Sequence, residues 1–355
     1  MKNRNCVLVI PALNPSDVLV QYVAALSAEG FDKIILVDDG SREEYREIFN
    51  ELKERYNCDL LVHVVNMGKG RALKDALNYY LNTYSVDYKG VITADSDGQH
   101  LVKDVVRMDD EIERDDSALI LGVRDFNQED VPFKSRAGNR ITRNVLKLLI
   151  GGSVTDTQTG LRGIPNRIAY EYLTLTGERF EYETTMLIES IKKDIPIREI
   201  TIDTVYYDGN SETHFHPVKD SIRIYKLIFG SFIKYMFVSL SSFALDYGIF
   251  CLMSAVLIGA VDATRVWVAT VVARVISSLY NYFMNRNVVF RSERDVKQTI
   301  IKYYALAIVQ MCCSAGLVLA ATRGLHWPSP VIKPIVDTLL FLLSYQIQSR
   351  WIFRE

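Results

Sequence analysis

Cysteine is sparse in this sequence and shows no pairing. Cys6, Cys58, Cys251, Cys312 and Cys313 lack the spacing of a metal-binding or redox motif, so neither chemistry is expected of them. Cys6 and Cys58 lie in apolar, strand-like segments and read as small buried hydrophobes, which fits a reducing cytosolic side. An excess of charge is also missing. The formal net charge is -2, which decides nothing by itself, and no nucleic-acid partner is expected. Met1–Asn5 is short and polar and leads straight into a strand, so no signal peptide is expected. Long apolar runs are absent up to about Phe229, and from Ile233 onward they dominate. At 355 residues the chain is long enough for two domains, and the change in composition divides it into 1–216, 217–231 and 232–355.

In the first part, short apolar runs alternate with helical patterns. Cys6–Ile10, Lys33–Val37, Leu60–Val65, Gly90–Ala94 and Ala118–Leu121 read as strands, with helices at about 16–29, 42–56, 69–84 and 101–114. That alternation predicts an α/β domain with a mostly parallel, doubly wound sheet. Ligands of such sheets gather beyond the carboxyl ends of the strands. Polar motifs stand at those ends: Pro11–Pro15, Asp38–Ser41, Asn66–Arg71 and Asp95–His100.

The 217–231 segment carries Lys219, Arg223 and Lys226 beside Ile222, Tyr225, Leu227, Ile228 and Phe229. It reads as a basic amphipathic helix at a membrane surface. Four apolar stretches follow, at about 233–258, 264–284, 302–322 and 331–349, each near the ~20 residues that span a bilayer. Loop 285–302 holds Arg286, Arg291, Arg294, Lys297 and Lys302 against Glu293 and Asp295. The positive-inside rule then places this loop, the N-terminal domain and the tail in the cytoplasm of a multi-pass cell-membrane protein. Ile233-Lys234-Tyr235 and Ile301-Lys302-Tyr303 open alternate spans, and Val289-Phe290-Arg291 and Ile352-Phe353-Arg354 close them. Two hairpins related by a parallel repeat are expected. Asp246, Arg274 and Asp337 fall within the spans, where charge is costly. Asp246 pairs with Arg274 in a structural bridge, or Arg274 meets a lipid phosphate. Association into a homo-oligomer would also help to bury them.

Asp95-Ser96-Asp97 sets two carboxylates at a strand end, where they can share a hard cation, Mg2+ or Mn2+, with nucleotide phosphates. Asp38 could accept hydrogen bonds from a base or ribose. Asn66-Met67-Gly68-Lys69-Gly70-Arg71 is a glycine-rich basic turn into a helix, suited to a diphosphate, although it lacks the Walker spacing. Together with Gly122-Val123-Arg124, Ser135–Arg140 and Asp156–Gly163, these motifs resemble the inverting family-two glycosyltransferases of the A-type fold. Within that family the likeness is to polyprenyl- and dolichol-phosphate glucosyl- and mannosyltransferases, and it covers roughly 5–230. The membrane half, through Lys234–Val238, Asn281–Arg286 and Val289–Arg291, resembles the GtrA-like proteins.

The resemblance implies a nucleotide-sugar site at Pro11, Ala12, Asn14, Asp38, Asp39, Asn66, Lys69, Asp95 and Ser96, with the metal on Asp95, Asp97 and Gln99. Pro15 stands where the family has Glu, which weakens the nucleotide assignment of that loop. Asp97 and Asp156 are the candidate catalytic residues, and Asp156 acts as base, orients the acceptor or caps Thr159. A phosphate monoester is largely ionised at neutral pH, its second pKa being near ~6. It therefore needs orientation and charge compensation, for which Arg124, Arg136 and Arg140 are suited, with His214 as a further phosphate contact. The expected reaction moves glucose or mannose from UDP-glucose or GDP-mannose to a polyprenyl phosphate on the cytoplasmic face. The rivals are a lipid-linked sugar flippase that only binds nucleotide, and a processive polysaccharide synthase. For the latter, Gln346–Trp351 has the wrong motif spacing.

Overall fold

The computed structural model describes residues 4–126, 133–203, 217–257, 261–325 and 328–354. The chain divides into two compact units, Met1–Lys147 with Gly152–Leu227, and Leu148–Gly151 with Ile228–Glu355.

The first unit is built on β1 (Cys6–Ala12), β2 (Ile34–Asp38), β3 (Asp59–Val62), β4 (Gly90–Thr93), β5 (Leu119–Arg124), β6 (Arg162–Pro165) and β7 (Ile197–Ile202). Its helices are α1 (Val18–Ala28), α2 (Arg46–Tyr56), α3 (Lys69–Thr83), α4 (Val102–Arg114), α5 (Phe133–Leu149), α6 (Asn166–Leu173) and α7 (Glu181–Lys192). The strands form one sheet in the order β3-β2-β1-β4-β6-β5-β7. Every pairing is parallel except those of β6, which is antiparallel to β4 and to β5. The expected mostly parallel α/β sheet is observed, with two strands more than the five read from the sequence.

The β1 run Cys6–Ile10 is wholly buried, as a strand covered by helices on both faces must be. α1 packs Leu19, Tyr22, Val23 and Leu26 into the same core, the i, i+3, i+4, i+7 stripe of a helix lying on a sheet. Truncating Leu19 to Ala would cost about 2–5 kcal/mol. β3 stops at Val62 instead of Val65, and Val64 and Val65 are exposed. The last ladder bond is His63 N–H to Asp38 O, and beyond it the His63 ring turns to Asp39.

The second unit contains α9 (Asp262–Met284), α10 (Val296–Leu325) and α11 (Ser329–Ile347). α8 (Pro217–Val256) is a single helix. The basic segment expected as a separate helix at 217–231 is therefore its first part, since no proline follows Pro217 to break it. Among the described residues, four helices are long and apolar enough to cross a membrane, and they extend beyond the expected spans at several ends.

α9 and α11 each continue into a π-turn, at Asn285–Val289 and Gln348–Ile352. Each is closed by the same bond, Phe290 N–H to Asn285 O and Phe353 N–H to Gln348 O, both 2.9 Å. The cross-hairpin bonds repeat as well. Tyr235 of α8 accepts from Gln348 (3.2 Å), and Tyr303 of α10 donates to Asn281 of α9 (2.7 Å). The helix carrying each opening tyrosine thus bonds to the closing helix of the other hairpin. Asp246 meets Arg274 at 3.6 Å and accepts from Ser277 at 2.8 Å. Asp337 pairs with Lys333 at 3.0 Å and accepts from Ser314 at 2.6 Å.

Candidate active site

β1, β2, β3, β4 and β5 all run the same way, so Ala12, Asp38, Val62, Thr93 and Arg124 end at one edge of the sheet. β6 runs against them, with Arg162 opposite both Thr93 and Leu121. Its entering loop, with Asp156 and Gly160, consequently arrives at that same edge. Thr93 fixes the loop by donating its hydroxyl to Gly160 O at 2.8 Å.

At the end of β2 the two adjacent aspartates differ in role. Asp38 is half-buried and accepts the Ser41 N–H (2.8 Å), while Ser41 Oγ accepts the Asn14 N–H (2.9 Å) and Asn14 Oδ1 accepts the Arg42 N–H (3.0 Å). Asn14 adopts φ 47°, a left-handed conformation that asparagine tolerates. Pro11 and Asn14 are half-buried and Ala12 is buried. Asp39 is 5% exposed and accepts from Met67 N–H and Gly68 N–H (both 2.8 Å), with His63 Nδ1 at 2.7 Å. Its carboxylate fastens the glycine-rich turn instead of facing outward. Asn66 is exposed and accepts from Arg179.

Beyond β4, Asp95, Ser96, Asp97 and Gln99 are half-buried. Lys69, the first residue of α3, reaches Asp95 Oδ1 at 2.6 Å and Glu183 Oε1 of α7 at 2.9 Å. Burial alone would lower the pKa of Lys69, but Asp95 and Glu183 outweigh it and hold the ammonium above its ordinary range. Burial would likewise raise Asp95; Lys69, and His100 with Nε2 at 3.3 Å, hold it well below the usual carboxylate value. Asp97 is raised, first by burial and then by the charge of Asp95. Gln99 N–H (3.1 Å), His100 and Lys69 offset this only in part, so the two carboxylates are shifted in opposite directions.

Asp156 is fully buried. Arg124 grips it with Nε to Oδ2 at 2.7 Å and Nη2 to Oδ1 at 3.1 Å, and Gln158 N–H donates to it at 3.1 Å. The capped amide is that of Gln158, not Thr159, whose hydroxyl donates to Gly122 O. Asn139 of α5 secures the loop from the other side, donating to Thr155 O (2.6 Å) and accepting from Thr157 N–H (3.2 Å). Arg136 and Arg140 are exposed on α5. His214 lies outside the described residues.

Residues 7–173 match glycosyl transferase family 2, and residues 234–353 match the GtrA/DPMS transmembrane domain. The chain is a family-two glycosyltransferase domain joined to a GtrA/DPMS transmembrane domain. Among curated relatives, an uncharacterized protein of Methanocaldococcus jannaschii is 29% identical over 62% of this chain and 90% of its own. The UDP-N-acetylglucosamine–dolichyl-phosphate N-acetylglucosaminyltransferase of Methanococcus voltae is 29% identical over 58% of this chain and 88% of its own. The dolichyl-phosphate beta-glucosyltransferase of Dictyostelium discoideum is 26% identical over 54% and 62%.

The glycosyltransferase domain has the A-type fold, and the protein is a multi-pass membrane enzyme. Its acidic strand end suits a divalent cation: two carboxylates and the Gln99 amide are hard oxygen donors. The carboxyl of Asp97 is raised although Gln99 N–H donates to it at 3.1 Å, and the buried Tyr22 hydroxyl, which feels the charges of Asp95 and Asp97, has no partner among the described residues. No cluster of three or more His, Cys, Asp or Glu occurs among the described residues, so the acidic pair would form only part of a cation's oxygen shell.

Two of the expected site residues are engaged within the protein itself. Asp39 accepts from the Met67 and Gly68 N–H groups, and Arg124 donates to Asp156. Two further residues shape the site. Glu183 completes the Lys69 contact, and Gly160 leaves space for Asp95, since a Cβ there would lie 2.3 Å from Oδ2. The Gly within Asp156–Gly163 was the available signal for the second; for Glu183 the only signal was its place in an acidic helix start.

Proposed function

We propose that this glycosyltransferase moves one hexose or N-acetylhexosamine from a nucleotide-diphosphate sugar to a polyprenyl phosphate, inverting the anomeric carbon. The observation that carries this reading is the meeting, at one sheet edge, of the Asp38 loop, the Asp95/Asp97 pair with Lys69, and the Arg124-held Asp156. The GtrA/DPMS membrane domain and the relatives named for dolichyl phosphate support the lipid acceptor. The excess of Arg and Lys in loop 285–302 supports placing the glycosyltransferase domain and the tail on the cytoplasmic side.

In this reading the Asp38–Ser41–Asn14 network receives the base and ribose, and Lys69 lies at the diphosphate. Asp95, Asp97 and Gln99 would hold Mg2+ or Mn2+, which would supply charge compensation for the departing nucleoside diphosphate. The acceptor phosphate needs no strong base. Asp156, fixed by Arg124, therefore orients the acceptor, while Arg136 and Arg140 offer the guanidinium geometry that matches phosphate oxygens. The phosphate oxygen bonds to the anomeric carbon as the bond to the diphosphate breaks, from the opposite face.

The test is a screen of UDP-glucose, GDP-mannose and UDP-N-acetylglucosamine against a short polyprenyl phosphate with Mg2+ or Mn2+. One donor should give a lipid-phosphate sugar, lost in Asp97→Asn. No product from any common donor would overturn the reading.

A further inference from the structure

Lys69 stands where a lysine needs strong justification. It opens α3, where the helix dipole disfavours a cation, and its side chain is only 15% exposed. Two carboxylates hold it there, at 2.6 Å (Asp95) and 2.9 Å (Glu183). Glu183 lies in the first turn of α7 and is 4% exposed, a position that favours an anion. The Phe180 ring lies 5.8 Å from the ammonium. The geometry includes a competition, because Asp95 cannot give the same oxygen at full strength to Lys69 and to a divalent cation.

We propose that Lys69 is the resident counter-cation of the acidic strand end, and that Glu183 is the positioning residue that lets it yield. Without metal, the ammonium bridges Asp95 and Glu183. When a divalent cation takes Asp95, Lys69 withdraws onto Glu183 and stays inside the site, available to the diphosphate. Glu183 thus acts on metal binding through Lys69 and not as a ligand. The exchange explains how a half-buried acidic pair keeps its shape without metal. It rests on the proposed metal role of Asp95 and Asp97.

The test is Mn2+ binding to the full-length protein in detergent, without nucleotide, followed by electron paramagnetic resonance, with Asp97→Asn as the control for the site. Lys69→Met should bind Mn2+ about tenfold more tightly, because the competitor is gone. Glu183→Gln should weaken binding severalfold, and in the Lys69→Met background it should change binding less than about twofold. If Lys69→Met does not tighten binding, or Glu183→Gln weakens it equally in both backgrounds, the exchange is overturned. If Lys69→Met fails to fold, Glu183→Gln decides alone, with unchanged Mn2+ binding overturning the proposal. Absence of Mn2+ binding by the unaltered protein would overturn the metal reading itself, which separates the two failures.

Discussion

Gly160 faces the carboxylate of Asp95 so closely that a Cβ on it would lie 2.3 Å from Oδ2. The contact joins two motifs far apart in the chain, the acidic end of β4 and the loop that enters β6. Gly160→Ala must displace one of them. Forcing a methyl into a packed site costs about 1–3 kcal/mol, or roughly 5–150-fold when it falls on one equilibrium. The variant should lose that much in Mn2+ affinity and transfer rate. A melting temperature near that of the parent would show that the loss is local. Unchanged Mn2+ binding would show that Asp95 does not need its present place.

The pair Arg124–Asp156 allows a sharper comparison. Asp156 is fully buried and Arg124 is one-quarter exposed by side chain. Removing one partner of a buried pair costs about 3–5 kcal/mol, and the exposure of Arg124 places this case at the lower end. Arg124→Ala should lower the melting temperature and kcat together. Arg124→Lys keeps the charge but loses the two-pronged grip, so it should recover much of the stability and little of kcat. Recovery of kcat by lysine would show that only the charge matters.

Much of this was readable in the sequence because it is local. An Asp-x-Asp after an apolar run, or a glycine-rich basic turn into a helix, announces itself within ten residues. Five strands were visible from their apolar runs, but β6 was not. Its four residues, Arg162-Gly163-Ile164-Pro165, are all buried and carry an arginine and a proline that suggest a loop. Arg162 is tolerated there because it donates to Thr159 O (3.0 Å) and Glu183 O (2.6 Å). The roles of Asp38 and Asp39 were equally hidden, since neighbours on a strand end point opposite ways and the pattern does not say which faces the ligand. Lys69–Glu183 and Arg124–Asp156 are tertiary contacts that no local pattern encodes.

The division between Asp38 and Asp39 predicts different failures. Asp39→Asn keeps one acceptor oxygen and turns the other into an NH2 donor, so one of the Met67 and Gly68 N–H groups loses its acceptor, and the unmet donor costs about 1–3 kcal/mol. It should lower the melting temperature first, and donor affinity through the loosened turn. Asp38→Asn should weaken nucleotide binding, measured by calorimetry, with little change in melting. Equal melting losses would erase the distinction.

In the membrane domain, Gln348 is 4% exposed and donates to Tyr235 (3.2 Å) and Ser344 (3.0 Å), while Asn285 donates to it (3.3 Å). Gln348→Leu keeps the size and removes all three bonds. Side-chain bonds between membrane helices contribute about 0.6–2 kcal/mol. The melting temperature in detergent should therefore fall, and nucleotide binding should be unaffected. A membrane domain as stable with leucine as with glutamine would show that this repeated polar contact contributes nothing to holding the hairpins.

The depressed carboxyl of Asp95 makes a statement about pH. Its folded value lies below the unfolded value of about 3.9, held there by Lys69 and His100 against the cost of burial. For a depressed carboxylate the stabilising contribution is complete above the unfolded value and is lost as pH falls toward the folded one. Metal-free protein should thus lose stability on acidification below about pH 4, in part through this group. Other carboxylates titrate in the same window, so the informative quantity is the difference between the parent and Lys69→Met. The lysine variant should start less stable at pH 6 and lose less on acidification, because its Asp95 has less depression to forfeit. Melting temperatures taken from pH 6 downward in chelator measure both slopes. Parallel slopes would show that Lys69 does not hold Asp95 ionised, which would remove the electrostatic basis for the ion bridge at this strand end.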